Sequence, residues 1–344
     1  MTDEHTAPHF TAGVLLAGLT SYRIGGPSRF FFDARNVGEL KDAVRDATAE
    51  HLGLFIIGGG TNVLASDAGF DGLVLRPSLR SIEVRGNEVR VGAGVPMAEL
   101  VAAATEKSLS GLEWAGGLPG TVGGAVRGNA GCFGGETKDA VTSVRSLNIE
   151  TLVEETRNNA ECRFSYRSSI FKETNGSSAH STVAQGGEHG RTTGSGCGGE
   201  IVTEVTFELR PGDRGKIRAA VEEKIDYRKT RHPMEYPNAG SVFKNVPLER
   251  VPAAIRQGFS VVVKTDPFPV VPAAYLIAEA GCVGMQVGGA MVSPKHPNFI
   301  VNVSAARAAD VLALIERVKR AVREKFCIGL EEEVLILPEH ALIG

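Results

Sequence analysis

The chain has 344 residues, of which 42% are hydrophobic and 22% charged, and its formal net charge is −3. That length suits two or three domains with ordinary globular cores, and the near-balanced charge gives no electrostatic case for nucleic acid or a membrane surface as partner. The cysteines, Cys132, Cys162, Cys197, Cys282 and Cys327, are odd in number, widely spaced and without a CxxC, which argues against a disulfide framework or a zinc site. A reducing, cytoplasmic setting is expected. The N-terminus MTDEHTAPHF is polar and acidic, and the apolar run Gly13–Leu19 is too short to span a bilayer.

In chain order, Phe30-Phe31-Phe32 reads as a buried strand. Asn36 with Glu39 then signals a helix cap, and Leu40, Ala43, Val44 and Ala47 fall on one helical face. Leu54–Ile57 is a short apolar strand feeding Gly58-Gly59-Gly60-Thr61-Asn62, and Gly72–Leu75 is another. This small α/β unit ends near residue 78. Ile82 and Val84, a Gly86-Asn87 turn, then Val89 and Val91 alternate as a hairpin should. A helix is expected over Met97–Thr105. Strands are expected at Val144–Ile149 and Ile201–Leu209. Between those, Thr174–Gly199 is rich in Gly, Ser, Thr and His and reads as a solvated surface loop. His180 and His189 lie there, and no metal site is assigned to them. The last third opens with a helix over Lys216–Arg228. It ends with one over Ala306–Phe326, carrying Val311, Leu314, Ile315, Val318 and Val322, and an apolar strand Val334–Leu337 that closes it.

Chemistry points first to the run Gly116–Glu136, GGLPGTVGGAVRGNAGCFGGE. Nothing in it repeats at 3.6 or 2 residues, so neither an amphipathic helix nor a half-buried strand is expected. Glycine lets backbone approach a ligand with no Cβ in the way. Together with the loop 58–62, it suits a long cofactor lying between two subdomains, with backbone N–H groups as an anion nest. A Rossmann unit would need loop 58–62 to open a helix, and the chain runs on to another strand instead. In Tyr166-Arg167-Ser168-Ser169 the arginine sits among apolar neighbours. It is either a salt-bridged structural residue, which its setting slightly favours, or a carboxylate receptor whose fork matches a carboxylate. Ala239-Gly240-Ser241-Val242-Phe243-Lys244-Asn245 offers a hydroxyl with no GxSxG elbow and no clear His-Asp pair, so nucleophilic hydrolysis is not expected. A serine used as a proton donor needs no triad. In Leu330-Glu331-Glu332-Glu333-Val334, strand alternation turns Glu331 and Glu333 to one face.

Taken together these segments resemble the UDP-N-acetylmuramate dehydrogenase family, also called UDP-N-acetylenolpyruvoylglucosamine reductase, from Thr20 to Leu337. The signatures are Tyr22-Arg23-Ile24-Gly25-Gly26, GGGTNVL at 58–64, GLPGTVGGAVRGNAGCFGGE at 117–136, YRSSIFK at 166–172 and AGSVFKN at 239–245. They continue with Val292–Phe299 (VSPKHPNF) and LEEEV at 330–334. The resemblance implies an α+β fold. A two-subdomain FAD-binding region of the vanillyl-alcohol-oxidase (PCMH) type would be followed by a C-terminal α/β substrate-binding domain. The expected divisions are 1–78, 79–211 with a flexible loop at 173–200, and 212–344.

The resemblance further implies NADPH as co-substrate, non-covalent FAD, a UDP-sugar substrate, no nucleic acid or membrane partner, and a monomer. Hydride would pass from flavin to the enolpyruvyl β-carbon in peptidoglycan precursor synthesis. By motif match, Arg167 would hold the substrate carboxylate, Glu333 would stabilise the enolate-like intermediate, and Ser241 would protonate the α-carbon. Gly58, Gly59, Gly60, Thr61, Asn62, Gly117, Pro119, Gly120, Thr121, Gly123, Gly124 and Asn129 would hold FAD. Tyr166, Arg231, Asn245 and His296 would contact substrate, Arg231 at a phosphate. Neither glycine loop holds a histidine for a covalent flavin link.

Some positions depart from the family pattern. Thr61 stands where serine is commoner, and Cys132 and Arg127 replace smaller or apolar residues, with Arg127 placed to reach the flavin. The spacer 173–200 and the segment Val246–Ala274 are longer than usual. A counterpart of the tyrosine-bearing loop of one subclass is missing, which points to the other. A flavin oxidase or dehydrogenase of another small substrate would lose the joint presence of Arg167, Ser241 and Glu333. So would an idle flavin- or nucleotide-binding protein.

Overall fold

The computed structural model describes residues 9–173, 199–265 and 268–337. Nearly all of the expected flexible loop at 173–200, with His180, His189 and Cys197, lies outside the described residues. The other four cysteines are free thiols.

The first unit is a four-stranded sheet in the order β1-β2-β5-β3, built from β1 (Thr11–Ala12), β2 (Ser28–Ala34), β3 (Gly53–Ile56) and β5 (Phe70–Pro77). β2 and β3 both run parallel to β5, and β1 is antiparallel to β2. Helix α1 (Val37–Ala49) connects β2 to β3. Its start is set by Asn36, whose Oδ1 accepts the Glu39 N–H at 2.9 Å, while Glu39 Oε2 accepts the Arg35 N–H at 2.7 Å. Such a cap is worth about 1 kcal/mol. Leu40, Ala43, Val44 and Ala47 are buried as their spacing predicts. Phe30, Phe31 and Phe32 are half-buried rather than buried, with the Phe10 ring 5.9 Å from both Phe30 and Phe32.

After β3 the loop 58–62 leads into a strand, β4 (Val63–Ala65), and no helix opens there. β4 pairs in parallel with the terminal strand Leu335–Leu337, Val63 opposite Leu335. That strand was expected to close the last third; it instead returns to the first.

The second unit is a five-stranded antiparallel sheet. The strand Glu154–Asn158 lies at one edge, followed by Val141–Asn148, Glu200–Glu208, β7 (Glu88–Gly92) and β6 (Ile82–Arg85). Helices α2 (Met97–Glu106) and α3 (Val122–Arg127) pack into its core. Helix α3 lies inside the glycine run, where no helix was expected. The Thr121 hydroxyl accepts the Gly124 N–H at 3.4 Å, and Val122, Ala125 and Val126 are buried, which is enough for six residues.

In the last third, α5 (Arg214–Arg231) starts at Asp213, whose carboxylate accepts the Lys216 N–H at 2.8 Å. The helix Ala308–Phe326 buries Val311, Leu314, Ile315, Val318 and Val322 in a core shared with the strands Ala290–Val292 and Ile300–Asn302. Two ties join this core to the first unit. Tyr22 is buried and its hydroxyl donates to the Ile300 carbonyl at 2.8 Å. The Asp67 carboxylate accepts the N–H groups of Ala308 and Ala309 at 2.7 and 3.0 Å, placing a negative charge at the start of the long helix. Among the described residues no helix is long and apolar enough to cross a membrane.

Candidate active site

A cleft of about 2670 Å³ is lined by residues of the first unit, the second unit and the last third of the chain. Pockets for one small ligand span roughly 300–1,000 Å³, so this one has room for a dinucleotide and a second large molecule.

The two glycine loops form one wall, edge to edge. A Cβ on Gly58 would lie 2.6 Å from Thr121 Oγ1, and one on Gly59 would lie 2.8 Å from Gly120 Cα. Gly60 has φ +62°, and a Cβ there would meet the Leu19 carbonyl oxygen. Glycine is thus needed on both sides of the contact, and backbone lies open to the cleft.

A second wall carries a tight hairpin in which Ser165 and Ser168 exchange backbone hydrogen bonds at 3.0 and 3.2 Å. Tyr166 and Arg167 form its tip, with Arg167 in the left-handed region at φ +56°. The Arg167 side chain is held from two sides. Its Nη2 donates to the Gly131 carbonyl at 2.9 Å, and its Nε lies 2.5 Å from Glu333 Oε1, an ion pair rather than an aligned hydrogen bond. The Tyr166 hydroxyl accepts the Asn245 N–H at 3.3 Å, and the Asn245 Oδ1 accepts the Ala273 N–H at 3.1 Å.

Glu333 reaches this point because residues 331–333 pair with 242–244. The Lys244 N–H donates to Glu331 at 2.9 Å, and the Glu333 N–H donates to the Val242 carbonyl at 2.7 Å. Ser241 therefore stands one residue from the backbone partner of Glu333. Asn298, buried, clamps Phe243 by both backbone groups at 3.0 and 2.8 Å. Each of the three acids takes a different cation: Glu331 takes Lys244 and Arg250, Glu332 takes Lys319, and Glu333 takes Arg167. Burial pushes the Glu333 carboxyl above its ordinary range, against the pull of Arg167, Lys172 and Lys244. Although 19% of its side chain is exposed, that surface faces the cleft rather than open solvent.

Further along the cleft, His296 packs 4.8 Å from the Phe299 ring and 5.4 Å from His232. Burial lowers both imidazoles, His232 to about 4, so both are neutral at pH 7. His296 Nδ1 has no hydrogen-bond partner among the described residues.

An enzyme from Carboxydothermus hydrogenoformans named UDP-N-acetylenolpyruvoylglucosamine reductase is 36% identical over 326 residues, spanning 94% of this chain and 92% of that one. The chain belongs to the UDP-N-acetylenolpyruvoylglucosamine reductase family. A relative of the same name from Geobacillus thermodenitrificans is 35% identical over 93% of this chain and 90% of its own. Residues 28–151 match the family model described as an FAD binding domain, and residues 232–337 match that of the reductase C-terminal domain. The crystal structure of the reductase from Thermus caldophilus superposes with a TM-score of 0.70 at 30% identity, covering 96% of this chain and 99% of that one. The fold is α+β, an FAD-binding domain joined to the C-terminal domain of this reductase family.

Within that frame, Gly58, Gly59, Gly60, Thr61, Asn62, Gly117, Pro119, Gly120, Thr121 and Gly124 line the cleft. So do Tyr166, Arg167, Ser241, Asn245, His296 and Glu333. Three expected site residues do not. Gly123 is turned away, where a Cβ would lie 2.9 Å from the Ala93 Cβ. Asn129 is fully buried; its Nδ2 donates to the Ser165 carbonyl at 3.0 Å and its Oδ1 accepts the Lys138 N–H at 3.1 Å. It braces the Arg167 hairpin. Arg231 is exposed outside the cleft. The cation at that end is Arg228, nearly one turn earlier on α5 and buried, donating to the Gly116 carbonyl at 3.0 Å and to Cys132 Sγ at 2.9 Å. Arg228 and Lys172 both line the cleft, and nothing in the sequence pattern singles out either.

Proposed function

We propose that this chain reduces UDP-N-acetyl-enolpyruvoylglucosamine to UDP-N-acetylmuramate, the reductive step of peptidoglycan precursor synthesis, with FAD as cofactor and NADPH as electron source. The observation that carries the reading is the convergence of Arg167, Glu333 and the Ser241 segment at one point of the cleft that the glycine loops also line.

The glycine wall fits an extended dinucleotide. Gly58–Asn62 and Gly117–Thr121 bare their backbone to the cleft, and a side chain at Gly59 or Gly120 would close the gap between the loops. FAD held there would supply the two-electron hydride chemistry that links NADPH to the enolpyruvyl group.

The remaining work belongs to side chains of this chain. Hydride arrival at the β-carbon leaves an electron pair at the α-carbon, delocalised into the carboxylate. Arg167 presents a planar fork that matches that carboxylate. Glu333 stands beside Arg167 with its carboxyl pushed above the ordinary range by burial, and in its protonated form gives a hydrogen bond to the growing charge. Ser241 gives its hydroxyl proton to the α-carbon, which completes addition of one hydride and one proton across the double bond. Tyr166, Asn245 and His296 line the substrate side, and Arg228 takes the phosphate role that motif matching gave to Arg231.

The reading includes action as a cytoplasmic monomer, checked by light scattering of the loaded protein. Its central test is anaerobic. Purified protein should show flavin absorbance that bleaches with NADPH and returns on addition of the UDP-sugar. Bleaching without return would give the electrons to another acceptor, and failure to take up FAD would remove the basis of the reading.

A further inference from the structure

One more cation meets the Arg167 hairpin. Lys172 lies on α4 (Ile170–Glu173), which follows that hairpin directly, and its side chain lines the cleft. Its Nζ donates to the Arg167 carbonyl at 2.9 Å, so the ammonium closes the tip on which Arg167 sits at φ +56°. A non-glycine residue stays in that backbone region only when its surroundings hold it. The charged groups facing Lys172 come from four elements: Arg127 from α3, Arg167 from the hairpin, Lys244 from the segment after Ser241, and Glu333 from the terminal segment. Among the described residues no carboxylate forms an ion pair with it.

We propose that Lys172 is a positioning residue for the reduction: its ammonium pins the Arg167 backbone, and its charge is set against Glu333. This rests on the functional reading above. The device is tied to a proton, because burial, with Lys244 and Arg127 adding to it, brings the Lys172 ammonium down to about 8. As pH rises through that value the charge is lost, the bond to the Arg167 carbonyl weakens, and turnover falls. Stability moves the other way. Between about 8 and the ordinary lysine value near 10.4, the unfolded chain keeps a proton that the native state has released, so native stability rises with pH. Activity is thus lost where this group makes the fold more stable, which separates its effect from unfolding.

The test follows FAD-loaded protein, its Lys172→Met variant and its Lys172→Arg variant from about pH 6 to about pH 10. Each half-reaction is read by flavin absorbance. In the unaltered chain, reoxidation by the UDP-sugar should slow above about pH 8 while bleaching by NADPH stays level. Lys172→Met should reoxidise about tenfold more slowly at pH 7 and lose the alkaline limb. Lys172→Arg should recover much of the rate and carry the limb beyond the range tested. An alkaline limb unmoved in Lys172→Arg overturns the proposal, as does a Lys172→Met profile matching the original. Should Lys172→Met fail to hold FAD, the arginine variant alone decides. Absence of reoxidation in the unaltered chain overturns the functional reading first, and this role with it.

Discussion

The two walls of the cleft are made in opposite ways. The glycine wall is steric: Gly59 meets Gly120, and Gly58 meets Thr121, at distances that leave no room for a Cβ. The other wall is electrostatic: Arg167 and Glu333 are brought within 2.5 Å by two separately pinned backbones. One wall therefore tolerates changes of charge and not of volume, and the other the reverse. The two walls touch where the Asn62 Nδ2 donates to the Glu333 carbonyl at 3.0 Å, so changing either one alone tests how far they act separately.

The Glu333→Leu variant keeps much of the side-chain volume of the reacting wall and removes its hydrogen-bonding carboxyl. It should lower kcat by about 10²–10³-fold with FAD uptake unchanged, since a donor aimed at developing charge is commonly worth that much. Loss of FAD in the same variant would mean that the walls are not independent. Gly59→Ala places a methyl 2.8 Å from Gly120 Cα. It should weaken FAD by about 2 kcal/mol, roughly thirtyfold in Kd by flavin fluorescence, and leave the protein folded. Arg228→Ala should raise the KM for the UDP-sugar about tenfold, whereas Arg231→Ala should stay within about twofold, because only the former lines the cleft. Equal effects would return the phosphate role to Arg231. Away from both walls, Tyr22→Phe removes the hydroxyl that donates to Ile300 and should cost about 1 kcal/mol in denaturant unfolding.

What the sequence made legible was local or carried by motif. Asn36 and Glu39 announced α1, and the Gly86-Asn87 turn announced the β6–β7 hairpin. The absence of a helix after Asn62 ruled out a Rossmann unit, as the strand β4 shows. The segments carrying Arg167, Ser241 and Glu333 were named by resemblance, and the structure brings them to one cleft. What stayed hidden depended on contacts between distant residues. The resemblance pointed to Arg231, and the spacing along α5 cannot say that Arg228 is the arginine of that helix that lines the cleft. Asn129 sits inside a cofactor motif, yet its amide is consumed by Ser165 and Lys138, partners invisible to local pattern. The terminal strand pairs with Val63–Ala65 from the other end of the chain, which no period reports. The Thr121 cap, with Val122, Ala125 and Val126 buried, winds a helix inside a run that looked structureless.

The central claim is that the reacting wall handles charge and proton on the substrate while the glycine wall holds the cofactor. The most direct test is single-turnover absorbance of the Ser241→Ala variant, following bleaching by NADPH and return with the UDP-sugar separately. The account predicts bleaching at the original rate and a return slowed by about a hundredfold or more, as expected for loss of a positioned proton donor. A return as fast as in the unaltered chain, or an equal slowing of both phases, would contradict it.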